Sequence, residues 1–100
     1  KLPLGEITMT TVRNMTSNNG NKIANQFEIW TDDSRIFQSY KSVIAKVMDN
    51  GEIYLDINYW DYSVTTGKYR NLFLGETKRE TEKKIKSGEY ILTDLNQEEK

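Results

Sequence analysis

The sequence predicts an α+β fold that is mostly β, in which an antiparallel meander sheet of about five to seven strands carries one C-terminal helix. Three observations lead to this prediction. Apolar and polar residues alternate along much of the chain, Asn-Gly pairs separate the alternating segments, and one Lys- and Glu-rich stretch begins with a helix-capping signal. The 100 residues suit a single domain over 1–100, with residues 1–5 and 95–100 expected to fray.

The first strands are predicted by alternation with a period of two residues. The residues that share one face in each alternating segment are Ile7, Met9 and Thr11; Ile23, Phe27 and Ile29; and Ile53, Leu55 and Ile57. The segments at 36–37 and 43–48 are apolar on both faces, which is typical of more central strands. Asn-Gly at 19–20 and at 50–51 predicts hairpin turns, because both turn positions favour a positive φ.

A last hairpin is predicted over residues 59–74. Its strands would be residues 59–62 and 68–74, and Gly67 would adopt the left-handed conformation beside a β-bulge in the turn between them. The sequence therefore places an antiparallel hairpin immediately before the helix.

The helix is predicted over about residues 77–87. Thr77 and Glu80 have the spacing of a capping box, in which each side chain satisfies the backbone N–H of the other residue. Gly88 suits the position that follows the last helical residue. A narrow apolar stripe indicates a surface helix packed on the sheet, and residues 89–93 would add a short strand.

The composition excludes several kinds of chemistry. The chain has no Cys and no His, so a disulfide, a thiolate nucleophile, a zinc knuckle, an imidazole metal ligand and a Ser-His-Asp triad are all excluded. The net charge of −1 gives no overall field that attracts nucleic acid or an anionic membrane, and no apolar run is long enough to span a bilayer. We therefore expect a cytoplasmic protein that is not an enzyme and has no metal, no cofactor and no membrane contact.

Residues 58–71 form the most unusual stretch, because four aromatic residues are interleaved with basic ones. Stacking aromatic rings beside Lys and Arg form a surface that suits nucleic acid. The alternative interpretation is that the aromatic residues are cross-strand pairs in a half-buried sheet, and that the charges on the following helix are exposed i,i+4 pairs. A two-carboxylate hydrolase is a weaker hypothesis, since Asp56 and Asp61 would lie on opposite faces of a regular strand.

Three stretches together resemble a known family. They are residues 25–27 with 36–45, residues 54–56 with 59–63, and residues 65–71 with 73–76. Their pattern, SYxSxIA followed by YWDYSxTTGKYRNxFLGE, resembles small uncharacterised proteins of phages and other mobile elements of Gram-positive bacteria. The resemblance spans about residues 12–96 and implies an accessory protein that acts inside the bacterial host cell; it carries no catalytic residues.

Two functional hypotheses follow. The first is a non-enzymatic, stoichiometric inhibitor or adaptor that binds a host protein, of an anti-defence type such as an anti-CRISPR or anti-restriction factor. Its candidate anchors, chosen because Trp and Tyr dominate interface energetics, are Trp30, Tyr40, Trp60 and Tyr62. The alternative is a nucleic-acid-binding accessory domain that uses the hairpin and helix of residues 58–86. Its candidate contacts are Lys68, Arg70, Lys78, Arg79, Lys83 and Lys84. A homodimer formed by edge pairing or by burial of exposed aromatic residues is compatible with both hypotheses.

Overall fold

The alternating segments form a six-stranded sheet in the computed structural model, which describes residues 10–97. The strands are β1 (Thr11–Thr16), β2 (Lys22–Trp30), β3 (Ser34–Ser39), β4 (Ser42–Met48), β5 (Ile53–Asp56) and β6 (Tyr90–Thr93). They lie side by side in chain order. The predicted α+β class, mostly β, is confirmed. Ile7 and Met9 of the first predicted strand lie outside the described residues, as do residues 1–5 and 98–100 of the ends 1–5 and 95–100 that were predicted to fray.

The sheet is mixed rather than purely antiparallel. Strands β1 to β5 form the predicted antiparallel meander, but β6 pairs with β5 in parallel. Two helices, α1 (Val64–Leu74) and α2 (Lys78–Ser87), intervene between β5 and β6. A long crossover of this kind returns the chain to the end of the sheet at which β5 begins, so that β6 can run parallel to β5. The prediction of a pure antiparallel meander with one helix is therefore wrong.

Helix α1 replaces the predicted last hairpin. The Ser63 side chain caps it by accepting a hydrogen bond from the Thr66 backbone N–H, and it ends at Gly75 with φ of 72°. Its buried residues include positions 66, 69, 70 and 73, which have the i, i+3, i+4, i+7 spacing of one helix face. Gly67 is a buried helical residue, so the predicted left-handed turn at Gly67 is wrong.

Helix α2 follows the sequence prediction closely. Both hydrogen bonds of the capping box between Thr77 and Glu80 are present, and Gly88 ends the helix with φ of 85°. The predicted short strand is present as β6. At the two Asn-Gly turns only Gly20 and Gly51 have positive φ, and each glycine N–H donates back three residues. The asparagines thus avoid the double positive φ that the sequence predicted.

Both helices lie on one face of the sheet, and the core is between these two layers. The buried apolar residues of this core are Met15, Phe37, Ile44, Ala45, Leu55, Tyr69, Phe73 and Tyr90. The opposite face is called the outer sheet face below, and it carries the side chains of Val12, Phe27, Ile29, Ile36, Val43, Met48, Tyr54 and Ile91. Neither helix of residues 10–97 has the length and hydropathy needed to cross a bilayer.

Candidate protein-binding surface

Large apolar side chains are concentrated at one end of the sheet. Strands β3 and β5 are both antiparallel to β4, so the connections that leave them meet at this end. The exposed apolar residues in these two connections and at the first position of α1 are Tyr40, Ile57, Tyr59, Tyr62 and Val64. The Ser39 and Thr66 hydroxyls lie 3.1 Å apart, which holds the first turn of α1 against the end of β3. These five residues are called the tyrosine end below.

A buried carboxylate fixes the connection that leaves β5. Asp56 is fully buried, and its Oδ2 accepts hydrogen bonds from the backbone N–H groups of Asn58 at 3.0 Å and Tyr59 at 2.8 Å. Its Oδ1 accepts from the Leu95 N–H at 2.7 Å. Three backbone donors on one carboxylate stabilise a single conformation of the connection, so Ile57 and Tyr59 are presented on a rigid loop.

A buried guanidinium fixes the second half of the same connection. Arg70 is 1% exposed, and its Nη1 donates to the Trp60 carbonyl at 2.8 Å and to Asp61 Oδ1 at 3.0 Å. Its Nη2 donates to Asn71 Oδ1 at 2.9 Å. The guanidinium carbon also lies 5.1 Å from the centre of the Trp60 ring. Arg70 therefore anchors the backbone immediately before Tyr62.

Asp61 joins this anchor to helix α2. The Lys78 Nζ lies 2.7 Å from Asp61 Oδ2, on the side of the carboxylate away from Arg70. Burial alone would raise the pKa of Asp61, but the hydrogen bonds from Lys78 and Arg70 outweigh it and hold the pKa below its ordinary value. Asp61 is therefore ionised near neutral pH and serves as a fixed counter-ion.

Tyr40 is held in an unusual backbone conformation. Its φ is 56°, a left-handed value that is costly for a side chain other than Gly. The Tyr40 N–H donates to the Asn25 carbonyl at 2.7 Å, and Gln38 Nε2 donates to the Tyr40 carbonyl at 2.8 Å. These hydrogen bonds stabilise the strained residue and leave its side chain 52% exposed.

Two of the four predicted anchors lie at the same end of the sheet. Tyr40 and Tyr62 both belong to the tyrosine end, where the Tyr62 ring meets the Tyr59 ring edge-on with centroids 5.4 Å apart. Trp60 is half-buried and packs against the core instead of facing outward. Trp30 is exposed, but it pairs with Arg35 at the opposite end of β3.

Sequence reasoning missed three residues of the tyrosine end: Ile57, Tyr59 and Val64. One signal for the loop was present, since Asp56 followed by a polar residue two positions later has the form of an Asx turn. A second was Ser63 before a helix-compatible stretch ending at Gly75. Both signals place residues 57–63 in a loop between a strand and a helix.

The predicted nucleic-acid contacts do not form one basic strip. Arg70 is buried, so the hairpin surface that carried it in the sequence prediction does not exist. Lys78 pairs with Asp61, and Lys84 pairs with Glu76 at 2.7 Å. The remaining candidates, on the exposed surfaces of the two helices, are Lys68, Arg79 and Lys83.

Glu76 is the centre of a second polar cluster. It accepts hydrogen bonds from the Thr81 hydroxyl, from Lys84 at 2.7 Å and from the Tyr90 hydroxyl at 2.8 Å. Burial alone would raise the pKa of Glu76, but these hydrogen bonds outweigh it and lower the pKa. Burial and the Glu76 carboxylate raise the pKa of Tyr90 to about 12. Neither group changes protonation near neutral pH, which suits a structural clamp between α2 and β6 better than proton transfer.

An open cleft of about 1270 Å³ adjoins the tyrosine end. Its lining includes Ser63 and Val64, further residues of α1, and Asn18 and Asn19 of the β1–β2 turn. Its lining is mixed polar and apolar, which suits a segment of another protein as well as a small molecule. Within residues 10–97 no group of three or more acidic residues is arranged to hold a metal ion.

The fold and the surface define a small two-layer α+β domain with a rigid, aromatic loop surface. Residues 10–89 match the model of a family described as a family of unknown function (DUF8033), and the chain belongs to that family. Comparisons with the curated proteins and with the solved structures found no match.

Proposed function

We propose that the chain is a non-enzymatic protein-binding domain that uses the tyrosine end to bind a host protein stoichiometrically. In this proposal it is an inhibitor or adaptor of a phage or other mobile element, of an anti-defence type such as an anti-CRISPR or anti-restriction factor, and it acts on a host protein in the bacterial cytoplasm. The observation that carries the proposal is the concentration of exposed apolar side chains in two connections whose backbone is fixed by buried polar groups.

The rigidity of these connections favours binding. A loop that is already ordered loses little conformational entropy when it meets a partner, so a larger part of the contact energy contributes to affinity. Tyr side chains supply large contact areas with few rotatable bonds and are enriched among the residues that dominate interfaces. Asp56 and Arg70 are both buried, and their hydrogen bonds to the loop offset the cost of removing them from water, so the loop is held by polar contacts rather than by apolar packing.

The exposure of this end has no evident role in folding. Ile57 is 53% exposed and Val64 is 92% exposed, although both are strongly apolar. Isolated apolar residues are common on protein surfaces, but a cluster confined to one rigid end is typical of an interaction site. The adjoining cleft gives a partner segment room to continue along α1.

The test is capture of a host protein with matched variants. The immobilised wild type is compared with a Tyr59→Ala/Tyr62→Ala double variant and with Trp30→Ala, which removes an exposed aromatic residue from the opposite end of the sheet. We expect one host protein to be retained in a fixed ratio by the wild type and by Trp30→Ala, with at least about a tenfold loss in the double variant. Capture that depends on Trp30 but not on Tyr59 and Tyr62 contradicts the proposal, as does the absence of any stoichiometric partner. Circular dichroism of each variant controls for folding.

The nucleic-acid alternative has less support, because three of its six candidate cations are buried or paired with acidic residues. Fluorescence anisotropy with a labelled oligonucleotide separates the two proposals. A nucleic-acid-binding domain would show an affinity that falls steeply as salt is raised. We expect no measurable binding at low salt.

A further inference from the structure

The outer sheet face carries a mostly apolar row that crosses all six strands and is interrupted by one Lys. The strand registers place its members directly opposite one another from edge to edge, in the order Val12, Ile29, Ile36, Lys46, Tyr54 and Ile91. Five of the six are apolar or aromatic. Directly paired residues on one face of a sheet are in side-chain contact, so the row is one surface rather than scattered residues.

Further apolar side chains widen this row. Phe27 and Val43 lie on one side of it, each paired with Gln38, and Met48 lies on the other side, paired with Ser34. None of these residues belongs to the core between the sheet and the helices. Within residues 10–97 no other element packs on this face, because α1 contacts β3 and β4 from the core side and α2 contacts β6.

We propose that the outer sheet face is the interface of a homodimer, in which the faces of two copies of the chain pack together as a β-sandwich. Sheets pack face to face about 10 Å apart, with their apolar side chains interdigitated, and a two-fold axis makes the two faces equivalent. The sandwich has the same chemistry on both sides, so it requires no partner other than a second copy.

The area of the face is sufficient for such a dimer. Six strands about 4.8 Å apart and about six residues long give a flat outline of roughly 500 Å². Two such faces bury about 1,000 Å² in total, which is the lower bound for a specific interface between proteins. A mostly apolar patch of about 500 Å² lies toward the upper end of the range found on monomer surfaces, where such patches are often functional.

The charges also permit self-association. Lys46 is the one charged residue of the row, and a long Lys side chain can lie along an apolar surface while its ammonium group reaches the rim. The whole chain has a net charge of −1, so repulsion between two copies is small. The tyrosine end lies at the end of the strands rather than on this face, and the dimer therefore presents two tyrosine ends.

The test is the mass of the protein in solution, measured by light scattering after size exclusion at about 100 μM chain, where a dimer with a micromolar Kd is almost fully formed. We expect twice the 11.7 kDa of the chain for the wild type. Ile36→Lys places a second positive charge directly opposite Lys46 at the centre of the row, where the two like charges repel each other, and it should give a monomer. The matched control is Leu72→Lys, which changes an exposed apolar residue of α1 on the other side of the molecule and should remain dimeric.

A second variant keeps the test decisive if Ile36→Lys fails to fold. Val12→Lys changes a residue at the edge of the same row that is 58% exposed, so the monomer tolerates it, and it should raise the Kd of the dimer at least about tenfold in a dilution series. A monomeric wild type overturns the proposal, whether residues 1–9 or a different protein then covers the face. A dimer whose Kd is unchanged in both row variants overturns it equally. The measurement needs no host protein, so its outcome is independent of the capture experiment.

Discussion

The tyrosine end and the outer sheet face both expose apolar side chains, but they do so by different physical means. On the outer sheet face the exposure follows from regular strand alternation, because every second residue of a strand points away from the helices. At the tyrosine end it follows from irregular backbone that Asp56, Arg70 and the Ser39–Thr66 contact hold in place. The comparison indicates that the face depends on sequence pattern alone, whereas the tyrosine end depends on a few buried polar groups.

The largest loss of stability is expected from Asp56→Ala, which removes the carboxylate that holds the tyrosine end. The substitution leaves three backbone N–H groups without their acceptor, and we expect the free energy of unfolding to fall by about 4 kcal/mol. Urea unfolding measures the change, and Asp49→Ala in an exposed turn is the control, with an expected effect within about 0.5 kcal/mol. Equal effects for the two variants would mean that the carboxylate does not hold the connection.

Removal of the second anchor, in Arg70→Met, should cost about 3 kcal/mol. The variant keeps most of the buried volume but leaves the Trp60 carbonyl and the Asn71 side chain without their donor. Arg79→Met, on the exposed side of α2, serves as the control and should change the urea midpoint little. A harmless Arg70→Met would show that the loop before Tyr62 is ordered by other contacts.

The hydrogen bonds to Glu76 should make the free energy of unfolding depend on pH in the acidic range. The lowered pKa of Glu76 means that its contribution is complete above its ordinary value of 4.5 and is lost as the pH falls through the lower folded value. Asp61, whose ordinary value is 3.8, contributes in the same direction over a lower range. We therefore expect the thermal midpoint to fall on acidification below about pH 5.

Two substitutions assign this acid dependence. Glu76→Gln should flatten the pH profile, while Glu82→Gln on the exposed surface of α2 should leave it unchanged. A pH profile that is identical in the wild type and Glu76→Gln would contradict the assignment.

At the alkaline limit the raised pKa of Tyr90, about 12, predicts a contribution to stability that is complete below pH 10 and lost above about pH 12.

The smallest change in stability is expected from Gly67→Ala, and its sign distinguishes a helix from a hairpin turn at this position. A Cβ at this helical position would meet its nearest neighbours, Arg70 Nη2 and Asp61 Oδ1, at 3.6 Å, which is ordinary contact. We therefore expect a gain of about 0.5–1 kcal/mol from the higher helix propensity of Ala. Gly75→Ala is the opposite control, because its φ of +72° should make the substitution cost about 1 kcal/mol. A loss at Gly67 would favour the hairpin turn over the helix.

The parts of the structure that the sequence predicts correctly are those that depend on neighbouring residues in the chain. The strands of the meander, the capping box at Thr77 and the Gly88 helix end depend on local rules, and the structure has them. The common face predicted for Ile23, Phe27 and Ile29 is wrong, because Ile23 packs against the core whereas Phe27 and Ile29 lie on the outer sheet face. Helix α1 was missed because its buried stripe includes Thr66 and Arg70, which no rule based on hydrophobicity places inside. Their burial depends on contacts outside the helix, between Thr66 and Ser39 at a separation of 27 residues and between Arg70 and Asp61 at a separation of 9 residues.

The direction of β6 and most of the tyrosine end were unpredictable for the same reason. A short strand is visible in the sequence at residues 89–93, but its direction follows from the two helices that precede it, of which only one was predicted. The exposure of Tyr40 and Tyr62 agrees with their selection as candidate anchors. Trp60 turns inward because the buried Arg70 guanidinium lies against its ring. Whether these residues bind a protein stays a prediction.

Amide hydrogen exchange of the protein, alone and bound to the host protein that it captures, tests the central claim most directly. In the free protein the account predicts slow exchange at the backbone N–H groups of Asn58 and Tyr59, which donate to Asp56. In the complex it predicts added protection confined to the turn at Tyr40 and to residues 57–64. Fast exchange of the free loop, or added protection on α2 or at residues 17–21 in place of the tyrosine end, would contradict the account.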